Sequence, residues 1–177
     1  GTGARAGRGV VVALASGEVR AVRLDNAADL WHFRAPASVF AAPCEATAGL
    51  LVVCHDHRLR CLARCDGSCL WDMDLGSRIA ATPYVFRGAS HMGAKLAEEE
   101  HEWNGGSGEF LIAACSAGRV VFVLLPSVSG SQSPPPPSPR ILGEAQLGAE
   151  CFAAPVVHDR LVLLGARDDR LHCMTIA

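Results

Sequence analysis

The chain repeats itself at an offset of 40 residues, and few folds accommodate a repeat of that length. Sliding the sequence along itself sets Gly9 on Gly49, Val12 on Val52, Arg20 on Arg60 and Leu30-Trp31 on Leu70-Trp71. Ala41 then meets Ala81, and Pro43 meets Pro83. A third copy begins near Phe110, where Leu111–Cys115 replays Val10–Leu14, and continues to Cys151–Pro155, which replays Val39–Pro43. A fourth begins at Leu161-Val162-Leu163-Leu164 and runs to Leu171-His172-Cys173-Met174. The units span about 9–48, 49–87, 109–157 and 158–177.

Each unit reads as strands. Runs such as Gly49–Cys54 are short, rich in branched residues and bounded by polar turns. His55-Asp56-His57, Ser116-Ala117-Gly118 and Arg167-Asp168-Asp169 stand where one strand turns back into the next. The following strand alternates, through Val19 and Ala21, Leu59 and Cys61, and Leu171 and Cys173. A turn at Asp66-Gly67 leads to a strand carrying Trp71, and each unit closes on a corner proline: Pro43, Pro83 or Pro155. Proline suits a strand start, where no ladder N–H is needed. Four short antiparallel strands per unit are the pattern of a β-propeller blade, so the expected fold is all-β.

Length then fixes how much of a ring is present. Two insertions, about 87–108 and 126–140, and a lead over residues 1–8 fall outside the repeat. About 138 residues remain, or about three and a half blades, whereas closed rings need roughly four to eight. The expectation is an incomplete ring whose exposed blade faces and strand edge make it poorly soluble or self-associating. The lead and both insertions read as disordered or mobile surface segments. The first insertion carries Glu98-Glu99-Glu100 and Glu102; the second carries Pro134–Pro139, which could serve as a polyproline-II ligand for a protein partner.

Composition narrows the function. Net charge is -2, which gives no electrostatic footprint for nucleic acid or an anionic membrane. The longest apolar runs are too short to span a bilayer, and no targeting segment is readable from Gly1. Of the 16 basic residues only Lys95 is Lys, a skew that fits GC-rich codons rather than function.

The pattern Gly…Val-x-Ala-Leu…Asp-Gly-x-x-x-Trp…Ile-x-x-x-Pro is similar to the PQQ-like repeat of quinoprotein-type propellers. It covers about 9–87, 109–125 and 141–177, carried by Gly9, Trp31, Pro43, Gly49, Gly67, Trp71, Pro83 and Pro155. Within that class, Val53–Leu62 and Arg170–Cys173 most resemble the C-terminal propeller of acyl-CoA-synthetase-family enzymes that activate β-alanine. The resemblance implies four-stranded blades and a non-catalytic binding or scaffolding role within a cytoplasmic, multidomain, adenylate-forming protein. Partners would be other domains or further blades of the same protein, or a protein held by the propeller loops. ATP and phosphopantetheine would belong to the parent's other regions, because no nucleotide-binding or carrier motif occurs here.

Two alternatives come with the resemblance. A quinone-dependent dehydrogenase would hold PQQ and calcium, with an adjacent Cys-Cys pair and a tryptophan enclosing the quinone. This chain has no adjacent cysteines. The family's docking pattern, Ala-x-Asp-x-x-Thr-Gly-Lys-x-x-Trp, survives in the second copy as Gly67 and Trp71. In the first copy Ala21 and Trp31 match but Ala27 replaces the glycine; in the third the tryptophan is lost near Gly143. Trp31 and Trp71 are expected to pack between neighbouring blades. The other alternative is a scaffold propeller of the outer-membrane-assembly or stress-sensor type.

Candidate chemistry is sparse. No Walker loop, dinucleotide fingerprint, zinc-protease motif or nucleophile elbow is present, so no catalytic residue is assigned. Cys54, His55, His57 and Cys61 are possible zinc donors, but their spacing is not that of a ribbon or finger. The repeat sets Cys54 and Cys115 on Leu14, and Cys61 and Cys173 on Ala21, so these thiols read as small hydrophobes in strand-interior slots. Cys65 and Cys69 flank the Asp66-Gly67 turn, where a disulfide is the alternative to two surface thiols.

Overall fold

The computed structural model describes residues 9–88, 108–126, 138–158 and 160–176. The lead, the acidic cluster and Pro134–Pro137 lie outside the described residues. Among the described residues fourteen strands follow one another, forming four antiparallel sheets in chain order. The first sheet comprises β1 (Gly9–Ala13), β2 (Glu18–Arg23) and β3 (Asp29–Arg34). The second comprises β4 (Cys44–Glu45), β5 (Leu50–Val53), β6 (Arg58–Leu62) and β7 (Cys69–Asp74). The third contains β8 (Tyr84–Arg87), β9 (Glu109–Ala114), β10 (Arg119–Leu124) and β11 (Arg140–Gln146). The fourth contains β12 (Val156–His158), β13 (Leu161–Gly165) and β14 (Leu171–Thr175). This is a β-propeller arc of three and a half blades' worth of strands, and the ring does not close.

Sheet and repeat differ in phase. Cys44–Glu45, at the end of the first sequence unit, pairs with Leu50–Leu51 of the second, so a blade starts at the corner proline. Pro43, Pro83 and Pro155 each stand immediately before the first strand of a blade. Both insertions fall in blade 3, in the β8–β9 and β10–β11 connections, where added length costs little.

The repeat is held in register by two local devices. One is a bulge at the same place in each of the first three blades: after Ala21 opposite Trp31, Cys61 opposite Trp71, and Phe122 opposite Gly143. The other is a left-handed residue in the turns β1–β2, β5–β6, β9–β10 and β13–β14. Gly17, His57, Gly118 and Asp169 occupy it, at φ 90°, 71°, 81° and 60°. Only the glycines are free of strain there.

Strand alternation sends side chains to opposite faces of each blade, and the faces meet in three inter-blade cores. Blades 1 and 2 enclose Val19, Ala21, Trp31, Leu50, Val52, Cys54 and Leu62. Blades 2 and 3 enclose Leu51, Val53, Leu59, Cys61, Leu111, Ala113, Cys115 and Val121. Blades 3 and 4 enclose Phe110, Ile112, Val120, Val162 and Leu164, with Phe122 and Met174 packed against them. The two end faces have no blade against them. On blade 1, Val10, Val12 and Leu14 are 39–40% exposed; on blade 4, Leu171 is 70% exposed and Cys173 is also exposed. Cys173 therefore departs from the core slot that the repeat suggested, because the face carrying it is the outer one.

Candidate functional site

Equivalent residues at the three blade interfaces treat one structural element, the indole of the fourth strand, in three different ways. Between blades 1 and 2 it is fully docked. Trp31 is buried, and its Nε1 donates to the Arg64 carbonyl at 2.9 Å. Its ring lies on the Asp66-Gly67 turn, where a Cβ on Gly67 (φ 72°) would sit 2.5 Å from Trp31 Cε3. Glycine is required there by both conformation and contact. In blade 1 the matching turn position is Ala27, also left-handed at φ 54°.

From Arg64 the connection passes on to blade 3. The Arg64 guanidinium donates to the Ala46 and Thr47 carbonyls in the β4–β5 turn. Thr47 donates its N–H to Glu109 Oε2 at 2.6 Å, and its hydroxyl lies 3.1 Å from Oε1. Arg87 donates to the Thr47 hydroxyl at 3.1 Å and pairs with Glu109, whose side chain is 12% exposed. Polar contacts thus tie three blades together along one end of the arc. Gly49 sits in this turn because a Cβ there would approach the Leu62 carbonyl to 2.4 Å. Gly9 opens β1, where a Cβ would be crowded by Leu30 Cδ1 at 3.1 Å and the Val22 carbonyl at 3.3 Å.

Between blades 2 and 3 the docking is incomplete. Trp71 packs against the core but is only partly buried, and its buried Nε1 has no hydrogen-bond partner among the described residues. The register makes Leu125 the counterpart of Arg64, and the second insertion begins at the next residue. Between blades 3 and 4 the indole is absent, because Gly143 stands opposite Phe122, and a Cβ there would meet nothing within 4 Å.

The opposite end of the blades carries a second polar device. Arg60, 7% exposed, donates to Asp56 Oδ1 at 3.0 Å across the β5–β6 turn. Burial works against ionisation of Asp56, but hydrogen bonds from Arg60 and the Cys54 thiol, with the Arg60 charge, hold its carboxyl below the usual range. His172 and Asp168 form the equivalent pair in blade 4, at 3.0 Å.

The four possible zinc donors do not converge. Cys54 faces blade 1, with its Sγ 3.2 Å from the Ala37 carbonyl, whereas Cys61 faces blade 3 from the opposite side of the same sheet. His55 lies against the Phe40 ring at 4.7 Å, and His57 holds the left-handed turn position. Among the described residues no group of three or more His, Cys, Asp or Glu is placed to hold a metal. All eight cysteines are free thiols, Cys65 and Cys69 included. Burial pushes Cys44 up to about 12, and Cys61 and Cys115 to about 11, the opposite of what a nucleophile requires. Sequence reasoning missed the Thr47–Glu109–Arg87 contacts, because Thr47 and Glu109 are neighbours only across a blade boundary. It also missed the Asp56–Arg60 pair, although the Asp-x-x-x-Arg spacing about a turn was a signal for it.

No family model matches the chain. It is 29% identical over 122 residues to the beta-alanine-activating enzyme of Homo sapiens, a match covering 69% of this chain and 9% of that protein. The Danio rerio enzyme of the same name is 27% identical over 128 residues, covering 71% and 9%. The chain thus spans about a tenth of the length of these relatives. Among solved structures it is similar to BamB from Moraxella catarrhalis, with a TM-score of 0.62 and 15% identity over 97% of this chain and 43% of that one. It is also similar to a chain of the mitotic checkpoint complex (TM-score 0.66, 10% identity, covering 96% and 48%). The structure of BBS1N in complex with ARL6DN is a further match (0.61, 14%, covering 97% and 47%). At such identities these likenesses bear on fold alone. By fold, this chain is a β-propeller arc.

Proposed function

We infer that this chain is a non-catalytic section of a larger propeller, serving a multidomain, adenylate-forming, amino-acid-activating protein as a binding and scaffolding element. The observation that carries this reading is the register of the end faces. Val10, Val12 and Leu14 on blade 1 stand at the positions of Leu50, Val52 and Cys54, which are buried against the preceding blade. Leu163, Leu171 and Cys173 on blade 4 stand at the positions of Leu51, Leu59 and Cys61, which are buried against the following one. Both ends are thus built to be covered by further blades of the same kind.

The similarity to beta-alanine-activating enzymes supports that particular parent. In this reading ATP and phosphopantetheine chemistry belongs to other regions, and this section presents loops to a protein partner or neighbouring domain. The test is a chimera in which this chain replaces the matched section of the human beta-alanine-activating enzyme. A chimera that folds and activates β-alanine supports the reading. One whose isolated propeller aggregates while the parent's own does not would refute it.

A further inference from the structure

We propose that the interface between blades 3 and 4 holds a binding site for a small planar aromatic molecule of indole size carrying a ring N–H. A cavity of about 350 Å³ opens there, within the range of small-molecule sites. Its walls include Ile112, Val120, Phe122, Val162 and Met174. Each of these five is the register counterpart of a residue around Trp31. Ile112 corresponds to Val11, Val120 to Val19 and Phe122 to Ala21, while Val162 corresponds to Leu50 and Met174 to Leu62. Gly143, also in the wall, takes the place of Trp31 itself.

The cavity is therefore the counterpart of the indole slot between blades 1 and 2. Phe122 is larger than Ala21 and takes part of that space, stacking with Phe110 at 5.5 Å and Phe86 at 6.1 Å. The remaining volume exceeds the roughly 150 Å³ that suffices to bind benzene in an apolar protein cavity.

The polar feature of the slot is retained as well. Trp31 gives its N–H to the carbonyl of Arg64, and the counterpart of Arg64 is Ile176, which lines the cavity. The Ile176 carbonyl already accepts Arg160 Nε at 3.2 Å, and a carbonyl oxygen has a second lone pair to offer. An aromatic ring in this cavity meets the apolar side chains of Ile112, Val162 and Met174, and its ring N–H has an acceptor.

The experiment is a ligand-observed NMR or calorimetric titration of the chain with indole, 1-methylindole and the Gly143→Trp variant. Indole binds the natural chain saturably. 1-Methylindole, which lacks the donor, binds about fivefold more weakly, the loss of one ordinary hydrogen bond. Gly143→Trp fills the site with its own side chain, loses indole binding by more than about tenfold and melts at a higher temperature. The inference is overturned if the natural chain shows no saturable binding at millimolar indole. It is equally overturned if a folded Gly143→Trp binds indole as the natural chain does. Should that variant fail to fold, indole and 1-methylindole binding with equal affinity would still overturn it.

Discussion

Replacing Gly67 with alanine adds one methyl group at the contact that joins blades 1 and 2. The new Cβ would lie 2.5 Å from Trp31 Cε3 and 2.8 Å from Cδ2, so the ring or the turn must move. Gly67 also sits at φ 72°, where an L-residue costs about 1–2 kcal/mol. Crowding a packed ring adds about 1–3 kcal/mol, for a total of about 2–5 kcal/mol. For a chain of this size that is a fall in melting temperature of roughly 4–20 °C.

A double-mutant cycle separates the two contributions. Trp31→Ala alone costs about 3–5 kcal/mol. In its background the crowding contribution of Gly67→Ala disappears and only the conformational one remains, giving a coupling of about 1–3 kcal/mol. Ala27→Gly is the control, because the matching turn in blade 1 has the same left-handed backbone at φ 54°, so removing its methyl group stabilises by about 1 kcal/mol. Urea midpoints for the five proteins are the assay. A Gly67→Ala cost below about 1 kcal/mol, or strict additivity with Trp31→Ala, would refute the docked-indole account.

The two tryptophans should respond differently to the loss of their N–H. Trp31→Phe forfeits the bond to Arg64 and costs about 1 kcal/mol more than Trp71→Phe, since Trp71 Nε1 has no partner among the described residues; urea unfolding compares them. The buried thiols predict alkaline sensitivity. Folding raises Cys44 from its ordinary 9.0 to about 12, so its contribution is complete below about 9 and is lost as pH rises toward 12. Iodoacetamide on the folded protein should accordingly label Cys65 and Cys173 but spare Cys44, Cys61 and Cys115, as peptide mapping will read. Asp56 works with the opposite sign. Its lowered carboxyl contributes stability above its ordinary value, lost as pH falls below about 4, and Asp56→Asn costs about 3–5 kcal/mol at neutral pH by stranding buried Arg60.

What could be read in the sequence follows from how the information is stored along the chain. The repeat, its strands and the corner prolines are patterns laid out along the chain, which is why the loss of the third tryptophan could be placed near Gly143. The docking of Trp31 on Gly67 joins two blades and carries no such local pattern. The solvent exposure of Cys173 and Leu171 could not be read in the same way. Repeat alignment gives each position the environment of an inner blade, and these residues lie on an outer face. Trp71 shows a related limit: the repeat sets it on Trp31, yet it is only partly buried, and nothing in its own sequence unit distinguishes the two. The Thr47–Glu109–Arg87 contacts join residues far apart in sequence, in segments that carry no motif.

The central claim is that both end faces are built to be covered by further blades, and light scattering as a function of concentration tests it most directly. The natural chain should self-associate as concentration rises, because Val10, Val12 and Leu14 at one end and Leu171 at the other are apolar and exposed. Val12→Glu with Leu171→Glu should return it to a monomer with an unchanged circular dichroism spectrum. A natural chain that stays monomeric and monodisperse across the whole range would contradict the claim.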